Sequence, residues 1–436
     1  MIRSAMEPAD AASLVRREIA GVAIADLVRE HGTPLYVYDA ETIRRRCRDL
    51  AAWDTVRFAQ KACSNLAVLD LVRREGVVVD AVSAGEIARA LAAGYPAHAE
   101  PGAATADTLP PVHPIVYTAD IFDRASLEAV VRHGIHVNCG SADMLEQLAE
   151  RMPGAGVTLR VNPGFGHGHS QKTNTGGEGS KHGIWHEEIP EVLRRAEWAG
   201  LSVTGLHMHI GSGADLAHLG EVAGALERVA REIGRSLTTI SAGGGLPVAY
   251  QAGEEEADLA GYYSLWDATR KRLEEAFGHR IRLEIEPGRF LTAEAGFLIT
   301  EVRAIKRQGS RKYLLVDAGF NTLARPVLYG SYHPMSLCPV AEAAVEACEE
   351  VAVGGPLCES GDIFTQAEGG FVTSRPLPVA SVGDVLVIEI AGAYGFVMAS
   401  NYNSKLLPAE VLIDGGSPRL VRARQTPEDL IRGETV

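Results

Sequence analysis

The stretch Val56-Arg57-Phe58-Ala59-Gln60-Lys61-Ala62-Cys63-Ser64-Asn65 decides the reading of this chain. Its apolar run ends on one lysine, and Ser64 and Asn65 then offer the cap of a helix running to Gly76. A strand that feeds a helix in this way is one unit of a repeated β/α architecture, which carries its chemistry on the C-terminal lips of its strands. Lys61 is therefore expected on such a lip, with its amine desolvated and its pKa lowered. An amine in that state attacks a carbonyl and forms a Schiff base. Taken alone, a surface lysine just past a strand is the plain alternative.

Working outward, the same rhythm repeats. Short β-branched runs lie at 56–60, 78–82, 115–119, 135–139, 157–161, 204–209, 239–243 and 281–286. Amphipathic helices separate them. One spans Ser83–Ala93, with Ser83 and Glu86 as a capping box and Gly94 as its stop. Another begins near Ser141 and runs through Leu145 and Leu148. Alternating strand and helix means parallel pairing. Eight such strands over about 230 residues match a closed (β/α)8 TIM-like barrel. An open doubly wound sheet, needing fewer strands and a switch point, ranks second. Two segments break the rhythm: 101–114, read as an exposed loop, and the polar, glycine-rich 163–183, which follows the fifth strand and is read as a lid.

The flanks differ from this. Residues 1–31 show helical spacing, Thr33-Pro34 stops it, 35–38 reads as a strand, and 41–51 as a second helix. After Arg289 the runs at 297–317, 350–357, 384–390 and 410–423 are strand-like. Hairpin signals stand at Gln308-Gly309-Ser310 and Asp414-Gly415-Gly416-Ser417, and a helical pattern returns only at 426–432. The fold class is therefore α/β, a barrel plus a second, mostly β domain.

Composition narrows the function. At 436 residues the chain exceeds one ordinary domain. No apolar run is long enough to span a bilayer, and residues 1–10 carry no signal-peptide pattern, so a cytoplasmic protein is expected. A net charge of −14 argues against nucleic acid and anionic membranes as partners. The six cysteines (47, 63, 139, 338, 348, 358) show no paired spacing, so neither a zinc site nor a disulfide framework is read.

Three constellations sit at predicted strand ends. In Leu206-His207-Met208-His209-Ile210-Gly211-Ser212-Gly213, His209 can stack on a planar cofactor and the Ser212-Gly backbone can hold phosphate. The alternatives are a metal site, since both imidazoles share one face, and a pair of satisfied core histidines, the reading favoured for His207. Gly243-Gly244-Gly245 lets backbone N–H groups converge on an anion, although tight turns use such triplets too. In Glu284-Ile285-Glu286-Pro287-Gly288-Arg289, alternation puts both carboxylates on one side. A protonated pyridine nitrogen would meet such a buried carboxylate, and Arg289 offers a fork for phosphate or carboxylate; a structural Glu–Arg pair stands as the alternative. Farther on, Arg325 suits a substrate carboxylate and Glu359 an ammonium, each weighed against an ordinary solvated charge. Cys358 is weighed against a small buried hydrophobe.

Taken in order, these motifs resemble the diaminopimelate decarboxylase family, pyridoxal-phosphate enzymes with the alanine-racemase-like fold, from Thr33 to about Arg424. The carrying residues are Phe-Ala-Gln-Lys-Ala-Cys-Ser-Asn (58–65), His-Ile-Gly-Ser (209–212), the glycine triplet, Glu-Pro-Gly-Arg (286–289), Cys-Glu-Ser-Gly-Asp (358–362) and Gly-Ala-Tyr-Gly (392–395). The resemblance implies a barrel at 40–290 inserted into a β-rich domain made of 1–39 and 291–436, which completes the active site and the dimer interface. It implies pyridoxal 5'-phosphate carried on Lys61, with His209 on its ring and Glu286 at its nitrogen. Ser212, Gly243, Gly244, Gly245, Gly288, Arg289 and Tyr394 would bind the cofactor. Arg289, Arg325, Tyr329, Glu359 and Tyr394 would bind substrate. Cys358 would reprotonate the product carbon, with Cys358 and Glu359 donated by the second copy of a homodimer. Gln60, Cys63 and the lid pattern at 165–172 mark a subgroup variant.

The activity implied is decarboxylation of meso-diaminopimelate to L-lysine. The competing readings are a D-lysine or D-ornithine decarboxylase on the same scaffold, a non-catalytic cofactor-binding relative, a racemase, and a metal hydrolase.

Overall fold

The computed structural model describes residues 11–98, 108–109, 111–166, 175–209, 211, 216–341 and 347–436. The chain divides into two compact units. One comprises Arg44–Val248 and Glu256–Leu291, the other Met1–Ile43, Ala249–Glu255 and Thr292–Val436. The short excursion at Ala249–Glu255 has no counterpart in the sequence expectation.

The first unit is a closed parallel barrel. Its strands, in order, are Thr55–Ala59, Val78–Ala81, Ile115–Ala119, His136–Cys139, Gly156–Asn162, Ser202–Met208, Thr239–Ser241 and Arg282–Ile285. Each pairs with the next in parallel, and the eighth returns to the first through Glu284 opposite Thr55. All eight expected strands are present, and the open-sheet alternative falls. Strand Ile184–Trp185 adds a short parallel pairing outside the ring.

Local chemistry sets the helix starts. Asn65 caps Leu66–Arg74 by accepting from the Ala67 N–H, and Ser83 caps Ala84–Ala92 by accepting from the Glu86 N–H. The Glu86 carboxylate reaches the Val82 N–H at 2.8 Å, one residue short of the cap, so only half of the expected box forms.

The second unit is built on β-sheet. Strand Leu35–Asp39 lies between Gly296–Gln308, antiparallel, and Ala409–Asp414, parallel. Gly296–Gln308 turns into Arg311–Val316 and Ala409–Asp414 into Ser417–Arg422, at the two hairpin signals. Leu35, Val37, Ile299, Val387, Val411 and Ile413 form its core with Ile24 and Leu27. Burying each such side chain contributes roughly 1.5–3 kcal/mol.

Three expectations are adjusted here. Residues 1–10 lie outside the described residues, and within 11–31 only Ile24–His31 is α-helical, preceded by a 3-10 turn and a two-strand ribbon. Part of the apolar spacing there feeds the sheet core rather than a helix face. The C-terminal helix is a single turn, Pro427–Leu430. Arg325–Tyr329, in a region where no helical pattern was expected, is a helical turn. Proline at its second position tolerates a helix start, and Gly330 ends it at φ +63°.

Candidate active site

The barrel gathers one group of predicted residues at the C-terminal ends of strands one, six, seven and eight. Strand one ends at Ala59, and Gln60–Ala62 forms a 3-10 turn that presents Lys61. Lys61 is exposed, not desolvated as the sequence led one to expect, because the turn lifts it beyond the strand. Its charge is felt by Asp80, Glu86 and His209. His209 follows strand six, and its backbone carbonyl accepts from Thr175 Oγ1 at 3.0 Å. Burial, then Arg160 and Lys61, hold its imidazole well below the ordinary range, so it is neutral at pH 7. Ser212 lies outside the described residues, as do 167–174 of the expected lid and most of the loop expected at 101–114.

The glycine triplet follows strand seven and cannot carry side chains. A Cβ on Gly243 would stand 2.5 Å from the Met208 carbonyl, on Gly244 2.5 Å from the Glu286 carbonyl, and on Gly245 2.3 Å from the Gly211 carbonyl. Gly243 and Gly245 also take φ +65° and +106°, open to glycine at little cost. The turn therefore packs backbone against backbone between the ends of strands six and eight. Gly288 plays a similar part beside the lysine turn, where a Cβ would meet Ala59 and Ala62 at 3.3 Å. Arg289 opens the short helix Arg289–Thr292 and is half-buried.

Glu284 and Glu286 share the barrel interior, as alternation predicts, but they do different things. Glu284 is held by Arg57 of strand one, with Nη2 to Oε1 at 3.0 Å and Nε to Oε2 at 3.2 Å. The Glu–Arg pair weighed from sequence is thus made with Arg57. Glu286 accepts from the Ser241 hydroxyl at 3.0 Å and lies 2.8 Å from His207 Nε2. Burial pushes the Glu286 carboxyl up, but His207, Arg57 and Ser241 more than offset this and leave it lowered to about 2. A cavity of about 450 Å³ lies within the barrel, lined among others by Arg57, His136, Thr158, Arg282, Glu284 and Glu286.

Asp80, on strand two, escaped the sequence reading. Burial and the neighbouring Glu286 push its carboxyl up to about 7, against the pull of Lys61 and Thr118. The sequence signal was there: one aspartate closing an all-valine run, Val77-Val78-Val79-Asp80, where a charge is costly. His207, set aside as a core histidine, is buried as expected but is the direct partner of Glu286. Among the described residues no group of three or more His, Cys, Asp and Glu side chains could hold a metal ion.

The β-rich unit gathers a second group. Arg325 and Tyr329 share one helical turn. Arg325 is buried, donates to the Tyr250 hydroxyl at 2.9 Å, and lies 3.0 Å from His333 Nε2. Cys358 is exposed, so the buried-hydrophobe alternative fails, and Glu359 beside it is exposed too. Their loop is shaped by buried Asp362, which accepts from the Phe320 and Leu357 N–H groups at 2.7 and 2.8 Å, and by Asn403, which accepts from the Cys358 N–H at 2.8 Å. Tyr394 sits at φ +56°, a strained conformation for a non-glycine residue.

Comparison with known proteins identifies the family. Residues 40–293, more than half of the chain, match the family described as pyridoxal-dependent decarboxylase, pyridoxal binding domain. Diaminopimelate decarboxylase of Escherichia coli K12 is 54% identical over 93% of this chain and 94% of its own length. That of Streptomyces coelicolor is 52% identical over 95% and 92%. A solved diaminopimelate decarboxylase superposes with a TM-score of 0.87, at 54% identity, covering 93% of this chain and 94% of that one. The enzyme from M. jannaschii in co-complex with L-lysine gives 0.83 at 29% identity, covering 96% of both. The chain belongs to the diaminopimelate decarboxylase family of pyridoxal-dependent decarboxylases.

Proposed function

We propose that this enzyme removes one carboxyl group, at the D-configured carbon of meso-2,6-diaminopimelate, to give L-lysine and carbon dioxide, the last step of lysine biosynthesis. The observation that carries the reading is kinship over nearly the whole chain with enzymes named for that activity.

The residues gathered at the strand ends of the barrel fit pyridoxal 5'-phosphate. The glycine triplet has no room for side chains and offers bare backbone to an anion. Glu286 is an ionised carboxylate suited to a protonated ring nitrogen. Lys61 supplies a reachable amine for the aldehyde. When bound, the cofactor serves as the sink for the electron pair left behind by departing carbon dioxide.

Around it the chain's own groups take roles. Lys61 would hold the cofactor through its amine, the group that a substrate amine would replace. His209, kept neutral, would lie against the cofactor's ring without adding charge. Glu286 keeps the proton on the ring nitrogen. Ser212, Gly243 to Gly245, Gly288, Arg289 and Tyr394 hold the phosphate and rim; the strained backbone of Tyr394 is what a functional position tolerates. Arg289, Arg325, Tyr329 and Tyr394 grip the substrate at its carboxylate end, and Glu359 takes the distal ammonium. Cys358 returns a proton to the carbon that lost its carboxylate.

Cys358 and Glu359 act on the site of a second copy, so the working form is a homodimer with two shared sites. Their exposure supports this. The charge of −14 disfavours nucleic acid as a partner. Among the described residues no helix is long and apolar enough to cross a membrane. Six cysteines without paired spacing fit a reducing cytoplasm.

Carbon dioxide release tests the reading. Release is expected from meso-diaminopimelate, and not from D-lysine or D-ornithine, when pyridoxal 5'-phosphate is supplied. Turnover of D-lysine with equal kcat/KM would assign the enzyme to the other substrate.

A further inference from the structure

We infer that His207, together with Ser241, is a positioning residue for Glu286: the two fix the plane of the carboxylate that meets the cofactor's ring nitrogen. The inference rests on the reading of Glu286 given above and names what holds it.

The geometry comes directly from the barrel. His207 and Ser241 stand opposite each other in the register of strands six and seven, and Ser241 stands opposite Glu284 of strand eight. Glu286, two residues beyond, is therefore within reach of both. His207 Nε2 lies 2.8 Å from Glu286 Oε2, and Ser241 Oγ lies 3.0 Å from Oε1. A carboxylate only accepts, so the shared proton is carried by Nε2. One protein donor on each oxygen defines the orientation of the carboxylate and leaves each oxygen a second lone pair for a cation. His207 is 1% exposed, so water does not compete for the contact.

Ser241 has a second task. Its hydroxyl gives its one proton to Glu286 and accepts from the Gly243 N–H at 3.1 Å. The first residue of the glycine triplet and the ring-nitrogen carboxylate are thus tied to one oxygen. The Glu286 N–H also donates to the Gly243 carbonyl at 2.8 Å. Tilting the carboxylate moves the turn, and a shift of the turn moves the carboxylate.

The test uses the full chain, stripped of cofactor and titrated with two probes. One is pyridoxal 5'-phosphate. The other is its 1-deaza analogue, which has a carbon in place of the ring nitrogen and cannot meet Glu286 through a proton. His207→Phe and Ser241→Ala are each expected to weaken binding of the natural cofactor about tenfold, the usual scale for a partner behind a ligand-holding group. Binding of the deaza analogue stays unchanged. His207→Gln, which keeps a donor, recovers part of the loss. If both variants weaken the two probes equally while Glu286→Gln is selective for the natural cofactor, His207 and Ser241 serve only the fold and the inference is overturned. If Glu286→Gln itself shows no selectivity, the assignment of Glu286 falls first and the inference with it. Should His207→Phe fail to fold, Ser241→Ala, which removes one oxygen and little bulk, decides the matter.

Discussion

The two groups of candidate residues are built in opposite ways. In the barrel, Glu286 is 9% exposed, and each of its oxygens is engaged by a side chain of the same unit. In the β-rich unit, Cys358 and Glu359 stand exposed on a loop whose backbone N–H groups donate to Asp362 and Asn403. A buried carboxylate has to be satisfied by its own fold, because leaving it unpaired costs several kcal/mol. An exposed thiol and carboxylate cost the fold little, so their placement is free to answer to a docking partner. The barrel group is prepared within one chain, whereas the Cys358 loop leaves both side chains at the surface, where the proposed dimer would use them.

The largest effect that can break this contrast lies at Lys61. Lys61→Ala is expected to lower the decarboxylation rate roughly a thousandfold or more, and the cofactor should no longer become fixed to the chain on borohydride reduction. Lys61 is exposed, so thermal stability without cofactor should move by no more than about 0.5 kcal/mol. Retained activity would show that the barrel group is not organised around this amine.

Beneath the lip the expected loss is one of stability. Arg57 is 2% exposed, and beyond Glu284 it donates to the Val79 and His113 carbonyls at 3.4 and 2.9 Å. Arg57→Met strands the Glu284 charge inside the barrel and should cost about 3–5 kcal/mol in urea unfolding. Adding Glu284→Leu should return most of it. No recovery in the double variant would mean that the carbonyl contacts, not the ion pair, hold this layer.

The exposed loop calls for a test by mixing. Cys358→Ala and Lys61→Ala homodimers are each expected to be inactive or nearly so. Mixed in equal amounts and allowed to exchange, they should recover about a quarter of full activity, since half the dimers carry one intact shared site. Absence of recovery, with exchange verified, would place Cys358 in the service of its own chain.

Much of this was legible in the residues. The eight strands announced themselves through short β-branched runs closed by helix caps, because parallel barrel strands are buried on both faces and each ends at a clear stop. Both hairpins were legible because Gly309 and Gly415-Gly416 supply the positive φ that tight turns demand. The N-terminal segment misled, since apolar residues at helical spacing also suit a ribbon and an edge of a sheet core. The turn at Arg325–Tyr329 went unread because a single helical turn is too short to show a period. His207 and Asp80 were missed for a different reason: their significance comes from Glu286, 79 residues from His207, and only barrel closure brings the three together. Sequence spacing also could not show that a 3-10 turn lifts Lys61 out of the barrel.

The subtlest test compares two carboxylates inside one barrel. Glu286 is lowered to about 2 in the fold, so its contribution to stability is present at neutral pH and lost as pH falls below about 4.5 and through 2. Asp80 is raised to about 7, chiefly by burial and by Glu286. The folded chain therefore keeps the Asp80 proton longer than the unfolded chain does. That contribution is fully present below about pH 4 and is lost as pH rises through 7. Asp80→Asn keeps the shape and the neutral form, so it removes the second slope and leaves the first. Without cofactor, the variant should gain on the parent protein in melting temperature between pH 4 and 7, by on the order of a few degrees, and hold that lead above pH 7. A lead that stayed level across this window, or grew toward acid, would mean that Asp80 is ionised throughout. The two carboxylates would then be set by their own partners, not by each other.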